Sequence, residues 1–387
     1  MGLLYGVSAP PLDRFFSLST LVGLAWSDDD SCNWTSSGGS LDTFLATDYF
    51  ADPTNPRRVY AIGVNPTDQT VLPQVFASDD GGQTFGAAIF IAKAGYTLSG
   101  LENARSDPRT LYVATYLTTS MPPMLAVFHP RLQRSTDGGA SWTELDLEAS
   151  LGQNNFRIVA VDPSNASVLT VRVIEPGESL TVSRDGGMSF TKVAHLAGQF
   201  TAYVRLDSGT ILVAGALAID GVGFRSTHGM TFTDWTPQTL GDGGVLEKAE
   251  EGGAARPPHL RALATRGGKL YAAAKNFTDD WAVGVSTDEG VTFTKLARYD
   301  QVSAIRPCVK LLCMDACDYQ AAAFVWSPST CSGAGGTTMP PLGTSTKGCG
   351  CALGHEAGDD ASGLTVLRTV IVLGAALGLG RARRRGR

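Results

Sequence analysis

Residues 135–142 read Ser-Thr-Asp-Gly-Gly-Ala-Ser-Trp, and this pattern returns along the chain. Four copies share the form Ser-x-Asp-x-Gly-x-Thr/Ser-aromatic and occupy residues 78–85, 135–142, 183–190 and 286–293. Two degenerate copies stand at residues 27–34, where Ser31 replaces the glycine, and at residues 225–232, where Thr227 replaces the aspartate. We call these segments the octapeptides. They start 42 to 61 residues apart, which indicates one repeated structural unit per copy.

Each octapeptide has the composition of a tight β-hairpin turn. An aspartate carboxylate accepts hydrogen bonds from turn N–H groups, and glycine supplies the positive φ that closes the turn. The following threonine or serine caps the turn, and the aromatic side chain packs against its sheet. A catalytic carboxylate has no need to recur in every unit. We therefore interpret these aspartates as structural turn residues: Asp29, Asp80, Asp137, Asp185 and Asp288.

Short uncharged runs rich in small and β-branched residues precede five octapeptides, as expected for strands buried on both faces. They lie at residues 59–63, 111–114, 168–171, 211–214 and 270–273. Asp-Pro turns at Asp52, Asp107 and Asp162 precede three of these runs. Strand, turn, strand, octapeptide hairpin and strand make a four-stranded antiparallel sheet, and radial repetition of such sheets makes a β-propeller. The sequence predicts an all-β propeller of six blades, or seven if residues 236–260 or those after 300 hide a blade.

The octapeptides resemble the Asp-box, also called the BNR repeat, of sialidases and of sortilin-type and photosystem-assembly propellers. This resemblance implies turns at a rim away from the active face. A sialidase-like glycoside hydrolase would need three arginines on the substrate carboxylate, a tyrosine nucleophile with its glutamate, and an aspartate acid/base. The segment Asn-Phe-Arg-Ile at residues 155–158 is similar to the Phe-Arg-Ile-Pro signature of sialidases, but Val159 stands in place of the proline.

Four arginines are the candidate ligand-binding residues. Arg157, Arg205, Arg261 and Arg306 stand in predicted first strands, which line the central channel of a propeller. Together they would form a cationic mouth for an anionic ligand; alternatively, they pair with neighbouring carboxylates or point to solvent. The sequence assigns no catalytic residue and no cofactor. It predicts no metal site, because its five histidines form no HxH or HExxH arrangement.

Composition and cysteine usage indicate an exported protein that does not bind nucleic acid. The 387 residues carry a net charge of -6, and no basic stretch occurs outside the last seven residues. Six of the seven cysteines follow residue 300. Cys308, Cys313, Cys317 and Cys331 are spaced for disulfides rather than for paired zinc knuckles, and disulfides imply export.

The predicted domains are a propeller over residues 1–300, a disulfide-tied helical element over 301–331, a Gly/Ser/Thr/Pro linker over 332–348 and a C-terminal sorting or membrane segment over 349–387. The first blade is predicted to be incomplete, because only about one strand of chain precedes the octapeptide that begins at Ser27. A late strand around residues 301–306, or residues upstream of Met1 that include a signal peptide, would complete it.

The C-terminal segment has the order of a sorting signal. Cys349 and Cys351 precede a polar spacer, an apolar stretch at residues 369–380 and five arginines. This order resembles the sorting signals of myxobacterial surface proteins, which implies cleavage near the cysteines and retention at the outer surface. As a helix, the apolar stretch reaches only ~18 Å, against a bilayer core of ~30 Å.

The leading hypothesis is a surface-displayed, non-enzymatic, monomeric propeller that binds a protein or glycan partner. It would be attached to the membrane through its C-terminal tail or a lipidated cysteine. Two alternatives stay open, a sialidase-like glycoside hydrolase and an envelope assembly factor.

Mass analysis of the protein from its native envelope tests the tail. We expect loss of everything after about Cys351, with a modification on one cysteine, because the apolar stretch is too short to anchor comfortably. Mature peptides that end at Arg384 or Arg385 would instead establish a single-pass anchor over residues 364–380. Replacement of Cys349 and Cys351 by alanine would then leave localisation unchanged.

Overall fold

The computed structural model describes residues 3–7, 12–19, 23–29, 33–121, 125–217, 220–240, 257–304, 317 and 320–332. Within this part the chain forms 27 β-strands, which make six sheets of four or five strands and one two-stranded sheet. The fold is an all-β, six-bladed propeller with four-stranded antiparallel blades, as the sequence predicted.

The strands follow one another in chain order. Blade 1 contains β1 (Leu3–Val7), β2 (Phe15–Ser19), β3 (Gly23–Ser27) and β4 (Thr35–Ser36), followed by the short β5 (Gly38–Gly39). Blade 2 contains β6 (Leu45–Ala51), β7 (Val59–Val64), β8 (Gln74–Ser78) and, after the short β9 (Thr84–Phe85), β10 (Ala88–Ile91). Blade 3 contains β11 (Tyr96–Ala104), β12 (Asp107–Met121), β13 (Leu125–Ser135) and β14 (Thr143–Asp146).

The remaining blades repeat this order. Blade 4 contains β15 (Asn155–Asp162), β16 (Asn165–Glu175), β17 (Gly177–Ser183) and β18 (Thr191–Leu196). Blade 5 contains β19 (Gln199–Arg205), β20 (Ile211–Leu217), β21 (Asp220–Ser226) and β22 (Thr233–Asp234). Blade 6 contains β23 (Gln238–Leu240), β24 (Leu260–Arg266), β25 (Lys269–Ala274), β26 (Val283–Ser286) and β27 (Thr292–Ala297), with β23 parallel to β27 at the sheet edge. Short helices span Glu148–Leu151, Asn276–Asp279, Tyr299–Gln301 and Pro328–Ser332.

Blade 1 has four strands, whereas the sequence predicted an incomplete first blade. The additional strand is Leu3–Val7, which lies beside β2 in the sheet. No Asp-Pro turn follows this strand, so it lacks the signal that marks the first strands of blades 2, 3 and 4. The expected late strand is not formed at its described residues, because Tyr299–Gln301 is a 3₁₀ helix and residues 302–304 have no regular structure. Residues 305 and 306 lie outside the described part.

The chain divides into two compact units. The first unit comprises Gly6–Asp28 and Ser36–Ala197, and the second comprises Met1–Tyr5, Asp29–Thr35 and the chain from Gly198 onward. In both units, hydrophobic clusters lie between neighbouring sheets. Ile62 and Leu111 join blades 2 and 3. Fully burying such a side chain contributes roughly 1.5–3 kcal/mol, which explains why the predicted strands are apolar on both faces.

The octapeptide turns connect the third and fourth strands of their blades. In residues 135–142, the Ser135 hydroxyl donates to Asp137 Oδ1 (2.8 Å) and accepts a hydrogen bond from the Gly139 N–H (2.9 Å). The Asp137 carboxylate accepts hydrogen bonds from the Ser141 N–H (2.9 Å) and the Ser141 hydroxyl (2.5 Å). The same four bonds recur in residues 78–85, 183–190 and 286–293. In all four copies the aspartate carboxylate therefore accepts hydrogen bonds from within its own turn.

The degenerate copies keep part of this network. Asp29 accepts hydrogen bonds from the backbone N–H (2.8 Å) and side-chain amide (2.5 Å) of Asn33, which stands where other copies have threonine or serine. In blade 5, Ser226 accepts a hydrogen bond from the Gly229 N–H (2.8 Å). The predicted alignment, with Thr227 in the aspartate position, is thus wrong by one residue. The turn begins at Ser226 and is one residue shorter than the other copies.

Arginines from one sheet reach the octapeptide of the next sheet. Arg14, which is almost fully buried, pairs with both oxygens of Asp28 (2.6 Å each) and donates to the Gly81 carbonyl (2.7 Å). Its guanidinium lies 4.2 Å from the centre of the Trp26 ring. In the second unit, Arg225 donates to Glu289 Oε2 (2.9 Å) of the blade 6 octapeptide. These contacts tie successive blades together at the octapeptide end.

A disulfide element covers one face of blade 6. Cys317 and Cys331 form the disulfide, and Trp326 packs with Tyr271 and Val283 of the sheet. The prediction of a disulfide in this segment is confirmed for this pair, whereas Cys308 and Cys313 lie outside the described residues. The linker and the C-terminal segment from residue 333 also lie outside them. Over the described residues, no helix has both the length and the hydropathy needed to span a bilayer.

Acidification tests the octapeptide network. Hydrogen bonds from Ser141 and Ser189 hold the pKa of Asp137 and of Asp185, respectively, at about 2, below the ordinary value of ~3.9. A depressed pKa contributes stability that is present above pH ~4 and is lost as the pH falls toward 2. We expect urea unfolding of D137N/D185N to show a weaker loss of stability over this range than the wild type. Parallel pH dependences would contradict the network.

Candidate functional site

The first of the four antiparallel strands in each of blades 2 to 6 contains a one-residue β-bulge at the same place; in blade 6 this strand is β24. The register against the second strand shifts at Thr47, Ser99, Val159, Thr201 and Arg261. A bulge bends its strand and redirects the neighbouring side chains, and bulges are frequent beside functional sites. The hydroxyl of Ser99 donates to the Phe156 carbonyl (2.9 Å) of the next first strand. The bulges therefore also link adjacent blades.

The position after the bulge holds a small residue in every case but one. It is Gly100, Ala160, Ala202 and Ala262 in blades 3 to 6, but Asp48 in blade 2. The Asp48 carboxylate accepts a hydrogen bond from the Tyr49 N–H (2.9 Å). A β-carbon built on Gly100 would lie 4.0 Å from Asp48 Oδ2 and 3.6 Å from the Ile158 nitrogen. The glycine thus leaves space between the carboxylate and strand β15.

A second carboxyl group lies near Asp48. Glu102 follows the bulge on β11 by three residues and is half-buried. Burial and the neighbouring charge of Asp48 raise the pKa of Glu102 well above its ordinary value. Burial raises the pKa of Asp48 to about 6, although the Tyr49 N–H and the charge of Arg157 oppose the increase. Glu102 is therefore the carboxyl group of this pair whose protonated, hydrogen-bond-donating form is the more favoured.

Arg157 is the one predicted ligand-binding residue that belongs to this cluster. It lies on β15, two residues before the bulge, and its side chain is exposed. Arg205 and Arg261 lie in the second unit, where Arg205 ends β19 and Arg261 is the bulge residue of β24. The three arginines thus occupy three different positions along their first strands. Arg306 lies outside the described residues, and the shared cationic mouth stays a prediction.

Sequence reasoning missed Asp48 and Glu102. Both lie in first strands, but they stand in different blades, far apart in sequence, and belong to no motif. The one signal is that Asp48 is charged, whereas the equivalent position of blades 3 to 6 holds glycine or alanine. These positions can be aligned only once the strand pairing shows where each bulge lies. Among the described residues, no group of three or more histidine, cysteine or acidic side chains is arranged to hold a metal ion.

The fold resembles that of two glycoside hydrolases. The GH74 xyloglucanase from Xanthomonas campestris matches 78% of this chain and 46% of its own chain, with 18% identity and a TM-score of 0.54. The GH74 enzyme from Niastella koreensis matches 78% of this chain and 47% of its own, with 17% identity and a TM-score of 0.54. The chain thus spans about half the length of either enzyme. At these identities the likeness shows the fold alone.

A sialidase from Trypanosoma rangeli gives a TM-score of 0.40 at 10% identity, over 75% of this chain and 53% of its own. A likeness this weak supports no comparison of sites. No protein family model matches the sequence, and no curated protein matches it. The chain is therefore defined by its class, a six-bladed β-propeller with a carboxyl pair on the first strands of blades 2 and 3.

The raised pKa of Asp48 predicts how its replacement changes stability with pH. The unfolded-state pKa is ~3.9, so the folded protein binds more protons, and stability decreases as the pH rises from about 4 to about 6. The side-chain amide introduced by D48N keeps the acceptor for the Tyr49 N–H and has no charge to bury. We expect the stability difference between D48N and the wild type to grow in favour of D48N over this range and then level off, as measured by urea unfolding. A difference that does not change with pH would contradict the burial of a charge.

Proposed function

We propose that the propeller binds a glycan through the cluster of Asp48, Glu102 and Arg157, which we call the first-strand site. The observation that carries the proposal is the carboxyl pair beside the space left by Gly100. A protonated carboxyl group donates a hydrogen bond, a carboxylate accepts hydrogen bonds, and a guanidinium donates several. Sugar hydroxyl groups both donate and accept, so this set suits them better than it suits a purely cationic or anionic ligand.

The charge of the cluster argues for a glycan over a charged protein surface. Asp48 is half-buried and its pKa is raised, and perturbed pKa values of this kind cluster at functional sites. The fold likeness to a xyloglucanase is compatible with a glycan ligand.

A sialidase-type mechanism is not favoured by Tyr49, the tyrosine that follows Asp48 in the chain. Tyr49 packs its ring 5.4 Å from that of Phe16. Burial and the charge of Asp48 raise the pKa of Tyr49, whereas a tyrosine nucleophile needs a lowered pKa. We therefore propose binding without sialidase chemistry.

A second candidate function is glycoside hydrolysis by the carboxyl pair itself. The raised pKa of Glu102 is what a general acid requires, and Asp48, with a pKa of about 6, would be ionised at neutral pH as a base or nucleophile. Glu102 would protonate the glycosidic oxygen while Asp48 acts at the anomeric carbon or on a water molecule. The separate pKa shifts favour this assignment of roles.

Surface display is part of the proposal. The order of Cys349, Cys351, apolar stretch and arginines supports an exported protein retained at the cell surface. The disulfide between Cys317 and Cys331 suits an oxidising compartment.

Glycan binding is tested with the full chain and a panel of neutral and acidic oligosaccharides that includes xyloglucan fragments and sialyllactose. We expect D48N and R157A each to weaken binding of the recognised glycan at least about tenfold, the equivalent of ~1.4 kcal/mol. D79N is the matched control, because Asp79 is exposed in an octapeptide and pairs with Arg58. Binding that survives D48N and R157A, or no binding to any glycan, would contradict the first-strand site.

The same panel, presented as fluorogenic glycosides, separates binding from hydrolysis. Turnover that is abolished by both D48N and E102Q would replace the binding proposal by the hydrolase. Turnover that is retained in both variants would exclude the carboxyl pair as its source.

A further inference from the structure

A hydroxyl, an imidazole and a carboxylate form a chain of hydrogen bonds on blade 3, outside the first-strand site. Thr119 Oγ1 lies 3.0 Å from His129 Nε2, and His129 Nδ1 lies 2.9 Å from Glu148 Oε1. Thr119 is on β12, His129 is on β13, and Glu148 begins the helix Glu148–Leu151 after β14. The Thr119 side chain is exposed, whereas His129 and Glu148 are partly covered.

The partners of the imidazole fix which nitrogen carries the proton. Hydrogen bonds from His129 and Arg131 lower the pKa of Glu148, so its carboxylate is ionised at neutral pH and only accepts hydrogen bonds. In the neutral tautomer that suits this carboxylate, His129 Nδ1 donates to Glu148 and Nε2 is left as an acceptor. In that tautomer the Thr119 hydroxyl donates a hydrogen bond to Nε2. This is the order in which a base activates a nucleophile and a carboxylate orients the base.

The strand register produces this arrangement. Leu117 pairs with His129 and Thr119 pairs with Val127, so Thr119 and His129 are diagonal neighbours across the β12–β13 ladder. Pairing with β11 ends at Leu117, and pairing with β14 ends at Arg131. Thr119 thus lies on a two-stranded ribbon beyond both flanking strands, where a substrate can approach from solvent.

Arg131 holds the carboxylate in place. Its guanidinium donates to Glu148 Oε1 and to Asp146 Oδ1, each at 2.9 Å. Two hydrogen bonds therefore converge on Glu148 Oε1, one from Arg131 and one from His129. This fixes the position of the oxygen that orients the imidazole.

We propose that Thr119 is the nucleophile of an esterase site on blade 3, separate from the first-strand site, which cleaves small carboxylic esters. Thr119 Oγ1 attacks the acyl carbon as its proton passes to His129 Nε2. The bond between the acyl carbon and the ester oxygen breaks, and that oxygen leaves with the proton from Nε2. Water then attacks the acyl-threonine, gives a proton to Nε2 and releases the carboxylic acid, with the proton returned to Oγ1. Esters are favoured over amides because an alkoxide leaves more readily than an amide nitrogen.

Blade 4 provides a matched contrast with the same three groups in another order. Ser179 donates to Glu175, and its hydroxyl also lies 3.0 Å from His195 Nδ1. Lys192 binds the same carboxylate at 2.7 Å. Ser179 is fully buried, so its hydroxyl is inaccessible to a substrate. This cluster lacks the geometry of a nucleophile and serves as the control.

The test is hydrolysis of p-nitrophenyl acetate by the full chain and its variants. T119V has the same shape without the hydroxyl and is expected to reduce the rate to that of buffer, whereas T119S is expected to retain activity. H129A is expected to lose activity. Glu148 is a positioning residue, so E148Q is expected to lower kcat by roughly 10²-fold or more, with KM unchanged. S179A and H195A are expected to have the wild-type rate.

Mass spectrometry of acid-quenched reactions identifies the nucleophile. We expect acetyl on Thr119 in the wild type and none at this position in T119V. A wild-type rate in T119V, or acetyl found only on another residue, would overturn the proposal. The site does not rest on the glycan proposal, because D48N and R157A leave its residues intact and are expected to leave ester hydrolysis unchanged.

Discussion

The hydroxyl group of the first serine in each octapeptide holds the turn on which a blade depends. Ser78, Ser135, Ser183 and Ser286 are each 1–2% exposed, and each donates to an aspartate while accepting from a glycine N–H. Loss of that hydroxyl would leave a buried N–H unpaired, at a cost of about 1–3 kcal/mol. The turn fixes the register of the third and fourth strands. The outermost strand is only a few residues long in some blades, so without the turn few hydrogen bonds would keep it paired with the third strand.

This arrangement separates structure from function within a blade. The charged residues at the octapeptide end, such as Arg14 and Asp28, are paired with one another and join neighbouring sheets. The first strands instead carry a bulge that turns side chains out of the sheet, and in blade 2 the position after the bulge is an aspartate. The raised pKa values of Asp48 and Glu102 mean that ionisation of this pair opposes folding, whereas the octapeptides and interblade clusters stabilise the sheets.

The repeat allowed much of the fold to be predicted from the sequence. The spacing and composition of the octapeptides determine where the third strand ends and the fourth begins. Strand order followed from this local chemistry, as did six blades as the leading count, with seven left open. Two features were not predicted. Strand Leu3–Val7 has no turn signal after it. The turn at Ser226 is one residue shorter than the others, and the Gly229 N–H donates to Ser226 in a turn that has no aspartate. Most of the residues proposed as functional could not be predicted from the sequence, because no motif marks them. A bulge places Asp48 near Glu102, and the register of β12 against β13 separately places Thr119 beside His129. Arg157 was predicted because it stands in a recognisable segment.

Native-state hydrogen exchange at the octapeptide glycines tests the structural account most directly. The account predicts that the amides of Gly82, Gly139, Gly187 and Gly290 are protected to a degree comparable with the central strands, because each donates to a buried serine hydroxyl. In S135A, protection should fall at Gly139 and persist at the other three. Exchange of all four amides at the rate of exposed loops in the wild type would contradict the claim that these hydroxyl groups hold the blades.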